Sequence, residues 1–193
     1  MTESGKNPKV IIKTSMGDIK AEIFENETPI TAKNFLKYVD EGLLDGTTFY
    51  RTVKLENQPL DTQPSAGMIK IEVIQGGTKP APKGSEEREK LGVYPSTYPP
   101  IEHETTQTTG MKHVDGSLSM ARGDPGTATS SFFVVINEQP ELDYGGMRNP
   151  DGQGFASFGI VREGMDVVRK IQSQPDEKQK MKTPVDIISI KRE

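Results

Sequence analysis

Apolar residues recur in this chain mostly with a period of two, in short runs that turn-forming residues separate. This period is typical of β-strands with one buried face, and about eight such runs are present. They span residues 9–14, 18–24, 47–53, 68–75, 117–121, 131–136, 155–161 and 185–190. The runs do not alternate with helical segments, which excludes a doubly wound sheet and a TIM barrel.

Helical periodicity is present in only two segments, 29–41 and 164–172. The first follows Thr28-Pro29, a typical helix start. The apolar residues at helical spacing are Ala32, Phe35, Leu36 and Val39 in the first segment, and Met165, Val168 and Ile171 in the second. We therefore expect a mainly β architecture, closed or sandwiched, with helices over its open ends.

The length and composition indicate one domain. The chain has 193 residues, with 19 Gly and 14 Pro, which favours many turns and long ordered loops such as 78–115. We expect a tail at 1–8 and a single domain over 9–193. The formal net charge is −4 without clustered Lys and Arg, which argues against nucleic-acid binding.

No apolar run approaches the roughly 18 residues of a membrane span, so membrane insertion is not expected. The first residues lack the apolar core of a signal peptide. We expect a cytoplasmic monomer, or a periplasmic or extracytoplasmic one if a signal peptide was removed.

Several classes of catalytic site are excluded by residue type. The chain has no Cys, which excludes thiol catalysis and thiolate metal sites. Its two histidines, His103 and His113, lie in loop sequence and form no H-E-x-x-H motif. We expect both to be solvated, and we expect neither a metal nor a cofactor. No G-x-S-x-G motif is present either.

Four side chains on predicted strands stand out, although each also has an ordinary structural interpretation. Arg51 lies within Phe49-Tyr50-Arg51, and Gln75 ends an apolar strand. Phe132 and Phe133 are adjacent, so they point to opposite faces of the sheet. One of them belongs to the core, and the other lies elsewhere or lines a pocket.

Five motifs in one order carry a family resemblance. They are Thr-Thr-Phe-Tyr-Arg (47–51), Ile-Gln-Gly-Gly (74–77), Gly-Ser-Leu-Ser-Met-Ala-Arg (116–122), Ser-Ser-Phe-Phe (130–133) and Phe-Gly-Ile-Val (158–161). From about residue 9 to the C-terminus, the chain resembles the cyclophilin family of peptidyl-prolyl cis-trans isomerases, most closely its bacterial members. The resemblance implies a closed eight-stranded antiparallel β-barrel capped by two α-helices.

The same resemblance implies a site and a reaction, the cis-trans rotation of X-Pro bonds in protein substrates, which assists folding. Arg51 matches the catalytic arginine of the family. The substrate-binding positions implied are Gln75, Val73, Ala121, Arg122, Phe133, Leu142 and Phe155. Proline-containing polypeptides are the expected partners.

The chain departs from the family pattern at several places. The spacing between Arg51 and Gln75 is longer than usual, which indicates an insertion at about 54–67. Glu72, Ser131 and Glu141 stand where the family usually has Phe, Gln and an aromatic residue. We expect these changes to affect substrate affinity and cyclosporin binding more than the fold.

Two other functions stay open at this point. One is a proline-peptide-binding or chaperone module on the same barrel with little or no turnover. The other is an unrelated β-barrel that binds a small ligand. The insertion is either a tolerated surface loop or a rim that selects substrates.

Overall fold

The computed structural model describes residues 5–58 and 69–193. In this part of the chain, one antiparallel sheet contains nine strands. They are β1 (Lys9–Thr14), β2 (Gly17–Ile23), β3 (Thr48–Val53), β4 (Val73–Gly77), β5 (Ser117–Met120), β6 (Phe132–Val135), β7 (Ser157–Glu163), β8 (Asp176–Glu177) and β9 (Lys180–Arg192).

The sheet closes on itself because β1 pairs with both β2 and β9. The order around the barrel is β1-β2-β7-β5-β6-β4-β3-β9, while β8 forms a hairpin with β9 outside this ring. This confirms the predicted closed eight-stranded antiparallel barrel. Closure leaves the ring without an unpaired edge strand.

Alternation along the strands fills the barrel interior with large apolar side chains. Ile12, Ile19, Phe49, Phe132 and Phe158 are all fully buried there. The alternate residues of the same strands point outward, to solvent or to the loops. The outward face of β3, β4 and β6 carries a second, smaller apolar cluster, which belongs to the candidate site described below.

The described residues contain four α-helices: α1 (Pro29–Asp40), α2 (Glu86–Leu91), α3 (Thr106–Thr109) and α4 (Met165–Gln172). α1 and α4 are the two predicted helices, and each buries its apolar stripe against the barrel. The short helices α2 and α3 lie in the segment that we predicted as loop. No helix in the described ranges is long and apolar enough to cross a membrane.

α1 has a start that differs from the sequence signal. The Thr28 hydroxyl donates to the Phe24 carbonyl oxygen at 2.8 Å instead of capping the helix. The free N–H of Thr31 donates to the carboxylate of Glu104 at 2.6 Å. The long loop therefore supplies the anion that the first turn of a helix favours.

The strand predicted at 68–75 is only partly correct, because pairing begins at Val73. Ile71 forms its backbone hydrogen bonds with the side-chain amide of Gln58, at 2.8 and 3.0 Å, instead of with a neighbouring strand. The last strand is longer than the predicted 185–190.

The predicted insertion at 54–67 begins with ordered residues. Lys54 Nζ lies 3.1 Å from Asp176 Oδ1, and Asn57 Nδ2 donates to the other oxygen of Asp176 at 3.0 Å. The rest of the insertion, from residue 59 onward, lies outside the described residues. The division into a tail and a domain with an insertion stays a prediction.

Candidate active site

Strand register places three of the predicted residues in one row. Arg51 on β3 is opposite Gln75 on β4, and Gln75 is opposite Phe133 on β6. Directly opposed residues share a face of the sheet. Because Phe132 fills the core, its neighbour Phe133 must point outward, as the sequence predicts.

All eight predicted site residues line one cavity of about 160 Å³ on this outer face. Arg51, Val73 and Gln75 come from the paired strands β3 and β4. The others come from β6 and from segments around its rim. The residues brought together are Arg51, Val73, Gln75, Ala121, Arg122, Phe133, Leu142 and Phe155.

The guanidinium of Arg51 is held by two amide oxygens. Its Nη1 donates to Gln75 Oε1 at 3.0 Å, while Nε and Nη2 donate to Gln179 Oε1 at 3.1 and 2.7 Å. Burial lowers the pKa of Arg51, although an arginine stays protonated in proteins. One hydrogen on each terminal nitrogen has no partner among the described residues, so both can be offered to a bound molecule.

The side-chain amide of Gln75 is itself fully engaged. Its Nε2 donates to Tyr94 Oη at 3.0 Å and to Ser131 Oγ at 3.1 Å, and its oxygen accepts from Arg51. The Ser131 hydroxyl also lies 2.9 Å from Tyr50 Oη. This buried network fixes the amide so that its oxygen faces Arg51.

The floor of the cavity is apolar. Phe133 packs perpendicular to Phe155, with ring centroids 5.3 Å apart. Val73, Leu142 and Ile71 complete the floor, and each is nearly or fully buried. Such a floor can hold a compact apolar group.

Arg122 contributes to the wall through a fixed side chain. Its terminal nitrogens bind both carboxylate oxygens of Asp151, at 3.0 and 3.1 Å, and Nε donates to the Gly154 carbonyl. The hydrogen bond from Arg122 holds the pKa of Asp151 below its usual value. The backbone N–H of the adjacent Ala121 is already donated to Ser131.

The expectation that both histidines are solvated is wrong for His113, which is buried. Its Nδ1 lies 2.7 Å from Asp143 Oδ1, and its Nε2 lies 2.8 Å from Ser119 Oγ. Asp143, His113 and Ser119 thus contact one another in the sequence Asp-His-Ser that is found in hydrolase triads. Ser119 is fully buried, however, so no substrate carbonyl can reach its hydroxyl. The imidazole instead stacks parallel to Phe133, with centroids 6.2 Å apart.

The three departures from the family pattern do not obstruct the cavity. Glu72 points away from it and accepts hydrogen bonds from Asn137 and Gln172, while Ile71 lines the floor. Ser131 supports Gln75. Glu141 accepts the N–H of Met147 at 2.7 Å and so shapes the neighbouring loop.

Sequence reasoning missed five residues of the site: Ile71, Tyr94, Arg148, Asn149 and Gln179. Tyr94 and Gln179 lie in segments that carry no motif. Arg148 and Asn149 come from the loop of residues 143–154, which is rich in Gly and includes the turn signal Asn149-Pro150-Asp151-Gly152. A pattern of turn residues predicts a loop, but not which side chain of the loop reaches the cavity.

Comparisons with known proteins identify the family of the chain. The family model for "Cyclophilin type peptidyl-prolyl cis-trans isomerase/CLD" matches residues 9–192. A peptidyl-prolyl cis-trans isomerase of Acinetobacter baylyi is 34% identical over 190 residues, covering 95% of this chain and 85% of the relative. Peptidyl-prolyl cis-trans isomerase B of Escherichia coli is 32% identical over 164 residues, covering 84% of this chain and 83% of the relative.

Solved structures share the fold. A cyclophilin type isomerase of Cryptosporidium parvum superposes with a TM-score of 0.67 at 22% identity, covering 97% of this chain and 98% of that structure. A second structure of that protein, in the presence of the dipeptide Ala-Pro, gives a TM-score of 0.66.

Proposed function

The chain belongs to the cyclophilin-type peptidyl-prolyl cis-trans isomerase family, and from this premise we propose that it catalyses the rotation of X-Pro bonds at the cavity of Arg51 and Phe133. The observation that carries the proposal is the row of opposed residues on β3, β4 and β6. It sets a guanidinium with unused N–H donors beside an apolar floor.

The barrier to this rotation comes from amide resonance and amounts to about 18–20 kcal/mol. In the twisted transition state, the prolyl nitrogen loses its conjugation and carries a localised lone pair. A hydrogen-bond donor aimed at that nitrogen stabilises the twisted state more than either planar state. Such differential binding is what accelerates a reaction.

Each group of residues has one part in this scheme. Arg51 donates to the prolyl nitrogen, for which its rigid fork of donors is suited. Phe133, Phe155, Leu142 and Val73 hold the proline ring while the preceding residue turns. Gln75 orients Arg51, because its own N–H groups are already used within the protein.

The substrates we propose are proline-containing segments of polypeptides, and the step requires no proton transfer or covalent intermediate. The enzyme would act as a monomer in the cytoplasm. The departures at Glu72, Ser131 and Glu141 leave the cavity open, which a binding module without turnover would also need, so the assay below decides between the two functions.

The experiment is an isomerisation assay on short Ala-Pro peptides. NMR exchange spectroscopy detects the isomerisation directly, so no coupled protease is needed. We expect enzyme at micromolar concentration to accelerate exchange well above the uncatalysed rate, which has a time constant of tens to hundreds of seconds. Peptide binding without acceleration would instead identify a proline-peptide-binding module.

A further inference from the structure

A second arginine of the cavity is not used by the proposed mechanism. Arg148 lines the same cavity as Arg51. Arg51 lies on β3, whereas Arg148 comes from the loop of residues 143–154. Its Nη1 donates only to the Ile69 carbonyl oxygen, at 3.3 Å, among the described residues. Burial and the nearby charge of Arg51 lower the pKa of Arg148.

The three arginines of this cavity differ in whether a carboxylate neutralises their charge. Arg122 forms a two-point ion pair with Asp151. Arg51 and Arg148 form no ion pair within residues 5–58 and 69–193, and their partners there are amide and carbonyl oxygens. No Asp or Glu lines the cavity within those ranges. Two positive charges in a half-buried cavity without a carboxylate favour an anionic occupant.

The loop holds Arg148 in place through its backbone. The N–H of Arg148 donates to the Glu141 carbonyl at 3.2 Å. A side chain at Gly146 would clash with the Glu141 carbonyl oxygen, so the loop packs closely against this point only because residue 146 is glycine. The Asp151–Arg122 ion pair fixes the other end of the loop. Arg148 is therefore presented by a braced loop.

We propose that Arg148 makes the site prefer substrates with an anionic side chain next to the proline, either the carboxylate of Asp or Glu or the phosphate of phosphoserine. This inference rests on the proposed function, because it names the substrate class of the same site. The anion would lie between the guanidinium groups of Arg148 and Arg51 while the proline ring occupies the Phe133 floor. Arg148 is then a specificity-determining residue.

The test compares uncharged-end peptides of the form acetyl-Ala-X-Pro-Z-Ala-amide by NMR exchange spectroscopy. One series varies X and the other varies Z among Ala, Glu, Lys and phosphoserine, with Ala at the other position. In at least one series, we expect kcat/KM for the Glu peptide to exceed that for the Ala peptide about fivefold, and kcat/KM for the Lys peptide to be below that for Ala. The reason is that a partly buried ion pair stabilises a complex more than an exposed ion pair does. Added salt should reduce the ratio.

Three variants assign the effect. In Arg148→Gln the Glu-to-Ala ratio should fall to about one, whereas Arg148→Lys, which keeps the charge, should retain a ratio above one. Arg162→Gln removes an exposed arginine that pairs with Glu22 on the barrel surface, and it should leave the ratio as in the wild type. A ratio for phosphoserine above that for Glu assigns the phosphate as the preferred anion, and the reverse order assigns the carboxylate.

The inference and the proposed function fail in different ways. If no peptide is turned over, the proposed function is wrong. If all peptides are turned over at equal rates, or if Lys is preferred to Glu, only the inference is overturned. A preference for Glu that persists unchanged in Arg148→Gln shows that another residue provides the selectivity, and this also overturns the assignment.

Discussion

Arg51 combines a fixed orientation with unused hydrogen-bond donors. The side-chain amides of Gln75 on β4 and of Gln179 in the β8–β9 turn hold three of its N–H groups, and the other two have no partner among the described residues. A lysine at this position would present a single charge on a flexible stem, which cannot satisfy both amides and a substrate atom together.

We expect Arg51→Ala to lower kcat/KM at least tenfold, equivalent to ~1.4 kcal/mol of transition-state stabilisation. Arg51→Lys should not restore the activity. The measurement is the NMR exchange assay, with circular dichroism as the control for an intact fold. Wild-type activity in the alanine variant would rule out the role that we propose for this residue.

Phe132 and Phe133 provide a matched pair of substitutions on opposite faces of β6. Phe132 packs edge-on against Phe35 and Phe49, with centroids 5.5 and 5.8 Å apart, so Phe132→Ala should cost about 3–5 kcal/mol of unfolding free energy. Phe133→Ala should cost less stability and weaken the binding of proline peptides. Urea unfolding and peptide titration measure the two effects, and equal losses of peptide affinity would contradict the face assignment.

At the scale of elements, the row of Arg51, Gln75 and Phe133 in the candidate site depends on strand register more than on composition. Alternation along β6 predicts from sequence that its two phenylalanines point in opposite directions. The pairing of Arg51 with Gln75 cannot be derived in this way, because an insertion lies between their strands. Only the resemblance to the family motifs indicates, from sequence, that Arg51 and Gln75 belong to one site.

Contacts between distant segments account for what the sequence could not reveal. His113 can be buried because its two ring nitrogens lie within hydrogen-bond distance of Asp143 and Ser119. No local sequence pattern identifies either residue as its partner. Gln179 reaches Arg51 from a hairpin at the other end of the chain. Periodicity reports which face of an element is apolar, but not which polar residues meet.

The β8–β9 hairpin positions Gln179 through an unusual turn. Lys178 and Gln179 both have positive φ angles, 50° and 73°, where Gly and Asn are favoured. The Gln179 N–H donates to Asp176, and its carbonyl oxygen accepts from Thr52. A residue other than glycine in this left-handed backbone conformation is strained by about 1–2 kcal/mol.

This turn separates stability from activity. Lys178→Gly should relieve the strain and leave the melting temperature equal or higher, without changing kcat/KM. Gln179→Gly should relieve it equally but lower kcat/KM several-fold, because Arg51 loses two of its three hydrogen bonds to amide oxygens. Thermal unfolding and the exchange assay on both variants test this, and equal activity of the two would show that Gln179 does not position Arg51.

On the scale of the whole molecule, three aspartates join segments that are far apart in sequence. Asp40 pairs with Arg192, Asp151 with Arg122 and Asp176 with Lys54. Hydrogen bonds from Arg192 and Arg122 lower the pKa values of Asp40 and Asp151. Burial alone would raise the pKa of Asp176, but hydrogen bonds from Gln179, Lys54 and Asn57 lower it.

A carboxyl group with a lowered pKa in the folded state contributes stability above the pKa of the unfolded chain, near pH 4. That contribution is lost as the pH falls through the lower, folded-state value. We therefore expect Asp151→Asn to be less stable than the wild type at pH 7, with the difference shrinking below about pH 4. Urea midpoints measured from pH 7 to pH 2.5 test this, and a difference that persists unchanged in acid would contradict it.

The Gln58 amide, which binds both the N–H and the carbonyl of Ile71, ties the two ends of the insertion together. Exchanging residues 59–68 for Gly-Ser linkers of half or double the length should therefore shift the melting temperature by only about 1–2 °C, because loop-closure entropy changes slowly with length. Larger shifts would show that this segment contributes to folding.

The contact between Gln58 and Ile71 also creates a grafting point beside the candidate cavity, since Ile71 lines that cavity. A foreign sequence inserted there would be tethered to the site, and its effective concentration would be set by the length of the graft, reaching about millimolar for a short flexible one.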